Sequence, residues 1–376
     1  MPKTLIVTND FPPRTGGIQS CVHALAMRMP AGAVVVYAPA WEGAPAYDCT
    51  LPFPIVRHPT SLMLPLPSVR DRAARLLAEH GCDSVLFGAA APLGLLAPAL
   101  RKAGARRIVA LTHGHEAGWA ALPGARNALR RIGDSVDALT YLTEYFRVRL
   151  TRALSPASAA RMAQLAPGVD SATFRPGAGG AAIRERLGLS DRPIVLCVSR
   201  LVTRKGQDTL IGAWPQVRAA GGVPPLLLLV GGGPAAGRLQ RLACRLGVVD
   251  SVLFTGEVPQ KLLPAYYDAA NVFAMPCRTR MGGLDVEGFG AVYLEAAATG
   301  LPVIAGDSGG APDAVRNGET GYVVPGGDVT ALTHRLNQLL SDREVAKAMG
   351  AKGRDWMERE WRWESVAQRL WQILAG

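Results

Sequence analysis

Short apolar runs alternate with longer segments of helical periodicity along all 376 residues. In the first half, TLIVT, AVVVYA, SVLFGA and RIVALTH predict strands. A second series follows: PIVLCVSR, PLLLLVGGG, SVLFTGE, NVFAMP, PVIAGD and GYVVP. Between them lie Ala-, Leu- and Arg-rich stretches long enough for helices. Near-continuous apolar strands joined by helical crossovers predict parallel sheets covered on both faces. Two series predict two such sheets, an α/β chain of two Rossmann-like domains. The break is expected in VDSATFRPGAGGAAIRERLG, where Pro176, Gly177, Gly179 and Gly180 make a turn-rich connection. The final helical run carries Trp356, Trp361, Trp363 and Trp371, whose expected role is packing.

Composition supports a folded chain: 49% of residues are hydrophobic and 19% charged. The length suits two domains better than one core. MPKTLIVTND runs straight into a strand without a secretory pattern, and no stretch approaches the roughly 20 apolar residues of a membrane span. Cys21, Cys49, Cys82, Cys197, Cys244 and Cys277 are scattered with no Cys-x-x-Cys pair. They read as reduced thiols of a cytoplasmic protein without a zinc site. The net charge of +11 is uneven, with 19 basic against 11 acidic residues in 1–180. That excess suggests an anionic partner for the first half, or simply a solvated basic surface.

Four segments carry candidate chemistry. TNDFPPRTGGIQSCVHAL (residues 8–25) follows a strand and opens a helix. Gly16 and Gly17 there make either a tight turn or a place where backbone N–H groups meet an anion. In VSRLVTRKGQDTLIGA (198–213), Arg200 and Lys205 follow a strand end, where ligands sit in open α/β sheets. A guanidinium fork and an ammonium fit a diphosphate. In LLLLVGGGPAAGRL (226–239), Gly231-x-Gly233-x-x-Ala236 imitates a dinucleotide fingerprint around Gly232, making an NAD-dependent oxidoreductase the rival reading. It lacks a strand-end acid about 20 residues on. In residues 275–315, Glu287 precedes Gly288-Phe289-Gly290 and stands eight before Glu295, which falls in a helical run. Carboxylates accept hydrogen bonds from sugar and ribose hydroxyls.

Together these segments resemble the retaining glycosyltransferases of the GT-B fold that carry a Glu-x7-Glu motif, and the resemblance covers nearly the whole chain. It is closer at TNDFPPRTGGIQ, LTHGHEAGW (111–119) and the 275–315 segment, which look like bacterial phosphatidylinositol mannosyltransferases that add the second mannose. The resemblance implies two Rossmann-like domains with sheets facing across a cleft. The expected division is 1–170, acceptor- and membrane-facing, and 171–356, donor-binding, with a closing helix at about 357–376 returning to the first. It implies GDP-mannose as donor and no cofactor or metal. Arg200 and Lys205 would hold the diphosphate, Glu287 the mannose and Glu295 the ribose. The Gly288–Gly290 loop and Gly232 would line the donor site, and Gly16 and Gly17 would cover the phosphates. The anomeric configuration would be retained in an α-1,6 linkage.

His113 and His115 end a predicted strand where an acceptor should lie. Either imidazole could orient or deprotonate a hydroxyl, with His115 favoured; a His-x-His metal pair would need a third ligand. Asp10 joins the acceptor side. Arg70, Arg72 and Arg75 follow the apolar stretch SLMLPLPSV (61–69), and Arg126, Arg130 and Arg131 form a second cluster at helical spacing. These predict peripheral docking on the inner membrane face, with Leu62, Met63, Leu64 and Leu66 entering the interface. The acceptor would be an anionic glycolipid. A nucleic-acid partner is not expected, because arginines and aromatics do not interleave.

Overall fold

A computed structural model describes residues 2–189, 191–218 and 223–376. The chain forms two compact units. One holds Met1–Pro167 and Trp363–Gly376; the other holds Gly168–Arg362. The expected boundaries were 170 and about 356.

The first unit contains seven parallel strands: β1 (Thr4–Val7), β2 (Val34–Pro39), β3 (Ile55–His58), β4 (Ser84–Phe87), β5 (Arg107–Ala110), β6 (Ala138–Tyr141) and β7 (Met162–Gln164). Their order is β3-β2-β1-β4-β5-β6-β7. The hydrophobic pattern anticipates β1, β2, β4 and β5. It misses the outer three, because IVRH, ALTY and MAQ are short and partly polar. The β1 side chains are buried on both faces, Leu5 and Val7 against one cluster and Ile6 against the other. The second cluster includes Val366, Leu370 and Leu374 of the closing helix Trp363–Ala375.

The second unit contains β8 (Ile194–Val198), β9 (Leu226–Val230), β10 (Val252–Gly256), β11 (Val272–Met275), β12 (Val303–Gly306) and β13 (Gly321–Val324). All six match the predicted series, in the order β10-β9-β8-β11-β12-β13. Trp356 and Trp361 are buried and meet edge to face at 5.7 Å. Each sheet therefore reverses its winding once, between β1 and β4 and between β8 and β11. The crevice beyond the strand ends at such a reversal is where open α/β sheets take ligands. Among the described residues, no helix is long and apolar enough to cross a membrane.

Candidate functional site

The reversal point of the second unit is assembled by glycines that let backbones touch. Gly206 (φ 78°) follows Lys205, and a Cβ there would stand 2.0 Å from the Pro276 carbonyl oxygen. The loop after β8 thus presses on the loop after β11, and the Arg278 N–H donates to the Arg204 carbonyl at 2.8 Å. A paired Asp208 and Arg278, 2.7 Å apart, tie the same loops together. Gln207 is buried and donates to Ser199 Oγ (2.8 Å) and to the Arg200 carbonyl (3.0 Å), fixing the turn that presents Arg200. The Arg200 side chain is exposed and forms no hydrogen bond or ion pair among the described residues.

The glycines of 231–233 serve this turn. A Cβ on Gly231 would lie 2.2 Å from the Ser199 carbonyl oxygen, and one on Gly233 would lie 2.6 Å from that of Leu201. The Leu201 N–H donates to the Gly232 carbonyl at 2.8 Å. The apparent dinucleotide fingerprint is thereby explained as close packing of two strand-end loops.

Glu287 is clamped through its backbone. Its N–H donates to Ser308 Oγ (3.3 Å) and its carbonyl accepts from the Gly310 N–H (2.9 Å). A Cβ on Gly309 would lie 2.0 Å from that carbonyl oxygen. The Glu287 side chain, 7% exposed, places Oε2 2.7 Å from Lys205 Nζ, itself 12% exposed. Oε2 has no hydrogen bond of good geometry, so the contact is a point-charge pair. Arg204 Nε lies 4.0 Å from the same oxygen, and its Nη1 lies 3.4 Å from Asp285 Oδ1. Three cations and two carboxylates thus share one strand-end crevice. Sequence reasoning found Arg200, Lys205 and Glu287 but passed over Arg204, although it adjoins Lys205. Asp285, Gln207 and the Asp208–Arg278 pair left no pattern to read.

Glu295 lies on the helix Ala291–Ala298 and accepts a hydrogen bond from the buried Tyr267 hydroxyl at 2.7 Å. Burial pushes its carboxyl above the ordinary range, against the pull of that hydrogen bond. Gly290 (φ 82°) caps this helix, and a Cβ there would strike the Tyr293 ring at 2.6 Å. A Cβ on Gly288 would meet nothing within 4 Å. The Phe289 ring is 4% exposed and packs on Trp361 at 5.2 Å, so it anchors the loop and leaves its backbone to meet a donor.

The first unit has its own reversal point. Gly88, after β4, leaves room for Thr8, whose Oγ1 would lie 2.5 Å from a Cβ there. Asp10 donates its N–H to Thr8 Oγ1 (2.9 Å), and Asp10 Oδ1 accepts from Gln19 Nε2 (2.7 Å). The helix Gly17–Ala26 starts beside it, and a Cβ on Gly17 would meet nothing within 4 Å. A Cβ on Gly16 would meet only the Gln19 amide, at 2.2 Å.

The two histidines differ. His113 Nε2 is 2.6 Å from the Gly88 carbonyl, which can only accept, so Nε2 carries the proton and Nδ1 keeps its lone pair. Burial lowers its pKa, against the pull of Glu116. His115 has 45% side-chain exposure, and its Nε2 lies 3.4 Å from Glu116 Oε1. Glu116 is fully buried, and its Oε2 accepts the backbone N–H of His113 at 2.9 Å. The ordered imidazole at the reversal point is that of His113. Among the described residues, no three His, Cys, Asp or Glu side chains converge as a metal site.

The basic clusters lie on two helices of this unit. Pro67–His80 carries Arg70, paired with Asp71 at 2.7 Å, Arg72, paired with Glu79 at 2.9 Å, and an exposed Arg75. Ahead of it, Leu62, Leu64 and Leu66 are 55%, 44% and 52% exposed. Met63 corrects the expectation of an interfacial side chain: it is fully buried, and its backbone exchanges hydrogen bonds of 2.7 and 2.9 Å with the Asn9 amide. Pro123–Ser135 carries Arg126, Arg130 and Arg131, all exposed.

Residues 15–173 match Glycosyltransferase Family 4, and residues 181–356 match Glycosyl transferases group 1. The chain is 53% identical to the GDP-mannose-dependent alpha-(1-6)-phosphatidylinositol monomannoside mannosyltransferase of Mycolicibacterium smegmatis, over 99% of this chain and 98% of that protein. It is 51% identical to the protein of the same name from Mycobacterium tuberculosis, over 100% and 99% of the two chains. Among solved structures, Anabaena HepE in complex with UDP shares the fold, with a TM-score of 0.81, 19% identity and 99% coverage of both chains. Two parallel Rossmann-like sheets, a strand-end crevice of cations and carboxylates, and full-length identity above half to a mannosyltransferase place this chain in the GT-B glycosyltransferase family of those phosphatidylinositol monomannoside mannosyltransferases.

Proposed function

We propose that this protein transfers mannose from GDP-mannose to a phosphatidylinositol monomannoside, forming an α-1,6 linkage with retained anomeric configuration. The observation that carries the reading is the Lys205–Glu287 contact at 2.7 Å. It sets a diphosphate-binding cation beside a sugar-binding carboxylate, as a sugar bonded directly to a diphosphate requires.

In this reading the diphosphate takes Lys205 and Arg200, and the mannose hydroxyls take Glu287. Lys205 is then shared between the departing phosphate and Glu287. As the glycosidic bond to the diphosphate breaks, negative charge gathers on the leaving GDP. Preorganised cations stabilise that charge without reorganising. Arg204 supplies a further cation, so no metal is required. Glu295 meets the ribose, and Gly16 and Gly17 offer backbone to the phosphates. His113 offers Nδ1 to a substrate hydroxyl; His115, in solvent beside Glu116, is the second candidate.

The acceptor is a membrane lipid, so the protein works as a peripheral protein on the cytoplasmic membrane face. The exposed Leu62, Leu64 and Leu66 and the arginines that follow them support this. The test is transfer from a panel of nucleotide sugars to purified acceptor, with and without EDTA, followed by product mass. The expected result is one added hexose from GDP-mannose alone, unaffected by chelation. No product from GDP-mannose would overturn the reading, and loss of activity in EDTA restored by Mg²⁺ would overturn its metal-free part.

A further inference from the structure

The second basic cluster is more than a charged helix face. Arg126, Asn127 and Arg130 of the helix Pro123–Ser135 and Arg152, at the end of the helix Glu144–Thr151, surround a cavity of about 320 Å³. Arg152 joins from a different element, so sequence spacing did not group it with the others. Arg126 Nη2 donates to the Arg152 carbonyl at 2.5 Å, which holds the two elements together. The guanidiniums of Arg130 and Arg152 form no hydrogen bond or ion pair among the described residues. Among the described residues, no acidic side chain lines the cavity. The acid near Arg130, Asp134, is taken by the Ser155 and Ser158 hydroxyls at 2.5 and 2.6 Å. Positive charge therefore converges on a concave space, tempered by the Asp134 carboxylate, which acts on Arg130 through space.

Apolar side chains stand beside it. Leu122 is 63% exposed and precedes Arg126 by one helical turn; Val148 is 40% exposed and precedes Arg152 by one turn. Unpaired arginines with exposed aliphatic residues about one turn away suit the boundary between headgroups and acyl chains. We propose that this cavity binds the phosphate of an anionic phospholipid, distinct from the acceptor, and so moors the first unit on the bilayer. The forked guanidiniums of Arg130 and Arg152 take the phosphate oxygens. Leu122 and Val148 enter the interface. The proposal rests on the reading of the acceptor as a membrane lipid.

The test is co-sedimentation with phosphatidylcholine vesicles, with and without phosphatidylinositol, using the full chain. The double variant Arg130→Gln/Arg152→Gln is compared with Lys102→Gln/Arg106→Gln, which removes the same charge from another exposed site. Each variant is first checked for an unchanged melting temperature. If Arg130→Gln/Arg152→Gln melts lower, Leu122→Ser is used instead, because that residue is exposed. The expected result is a partition onto phosphatidylinositol vesicles lowered by roughly tenfold or more in the cavity variant. The control should fall much less. Equal loss in both pairs would mean diffuse charge and would overturn the site, as would unchanged binding in the cavity variant. Binding of inorganic phosphate by the unaltered protein at matched ionic strength, with no preference for phosphatidylinositol vesicles over phosphatidylcholine alone, would assign the cavity to free phosphate and overturn the lipid assignment. Transfer by the unaltered protein to a deacylated, water-soluble acceptor is measured separately. Its failure would strike the transferase reading while leaving the vesicle result to stand or fall alone.

Discussion

Lys205 Nζ stands 2.7 Å from Glu287 Oε2, and both side chains are nearly buried. Each is the other's main countercharge, so removing one strands the other. Lys205→Ala should lower stability by about 3 kcal/mol, partly relieved by Arg204, because an unpaired buried charge is costly. Arg200 has no such partner among the described residues, so Arg200→Ala should leave the melting temperature almost unchanged. Both variants should lose about 10²–10³ in turnover. Thermal melts and transfer assays on the two proteins check this; matching stabilities, or near-normal turnover in both, would contradict it.

Glu287→Gln should separate transfer from nucleotide binding. The amide keeps the shape of the side chain but no longer offers a charged acceptor to sugar hydroxyls, while Lys205 is freed for phosphate. Turnover should fall by about 10²-fold or more, the scale of losing one transition-state partner. Affinity for GDP, measured by calorimetry, should hold or rise. Weaker GDP binding with transfer preserved would give Glu287 a different task.

Gly206→Ala should damage the site without touching a charge. The residue has φ 78°, and its new Cβ would start 2.0 Å from the Pro276 carbonyl oxygen. The backbone must move, at a cost of at least about 1–3 kcal/mol, and Lys205 moves with it. A lowered melting temperature together with a drop in turnover is expected. Gly17→Ala, where a Cβ meets nothing within 4 Å, should melt normally and serves as the comparison.

His113 makes stability depend on pH in a defined direction. Its pKa is lowered in the fold, chiefly by burial. The unfolded chain therefore takes up the proton first as pH falls through about 6.5. More protons bound in the unfolded state means that stability is lost as pH falls, down to the lowered folded value. His113→Gln should flatten the melting curve over that window. Equal slopes for the unaltered protein and His113→Gln would show that His113 does not carry this dependence.

The apolar runs by themselves determined the six strands of the second sheet and the four strands β1, β2, β4 and β5 of the first, because strands buried on both faces are continuously apolar and the part-exposed edge strand β10 still opens on the apolar run VLF. They also determined that Arg200 and Lys205 follow a strand end. The strands β3, β6 and β7 escaped notice: β3 and β7 are partly covered sheet edges, and β6, though buried between β5 and β7, is short and interrupted by Thr140. The tertiary fold alone decided which side chains meet. Arg278 reaches Asp208, and Arg152 joins Arg126, through contacts between elements far apart in the chain. It also decided that Met63 goes inward while Leu62 and Leu64 stay out, because Asn9 pins the Met63 backbone from another loop. The Phe289 ring was likewise settled by Trp361, a neighbour that local sequence does not reveal. Local periodicity records which face of an element is covered; the partner that covers it is set by the packing of elements distant in sequence.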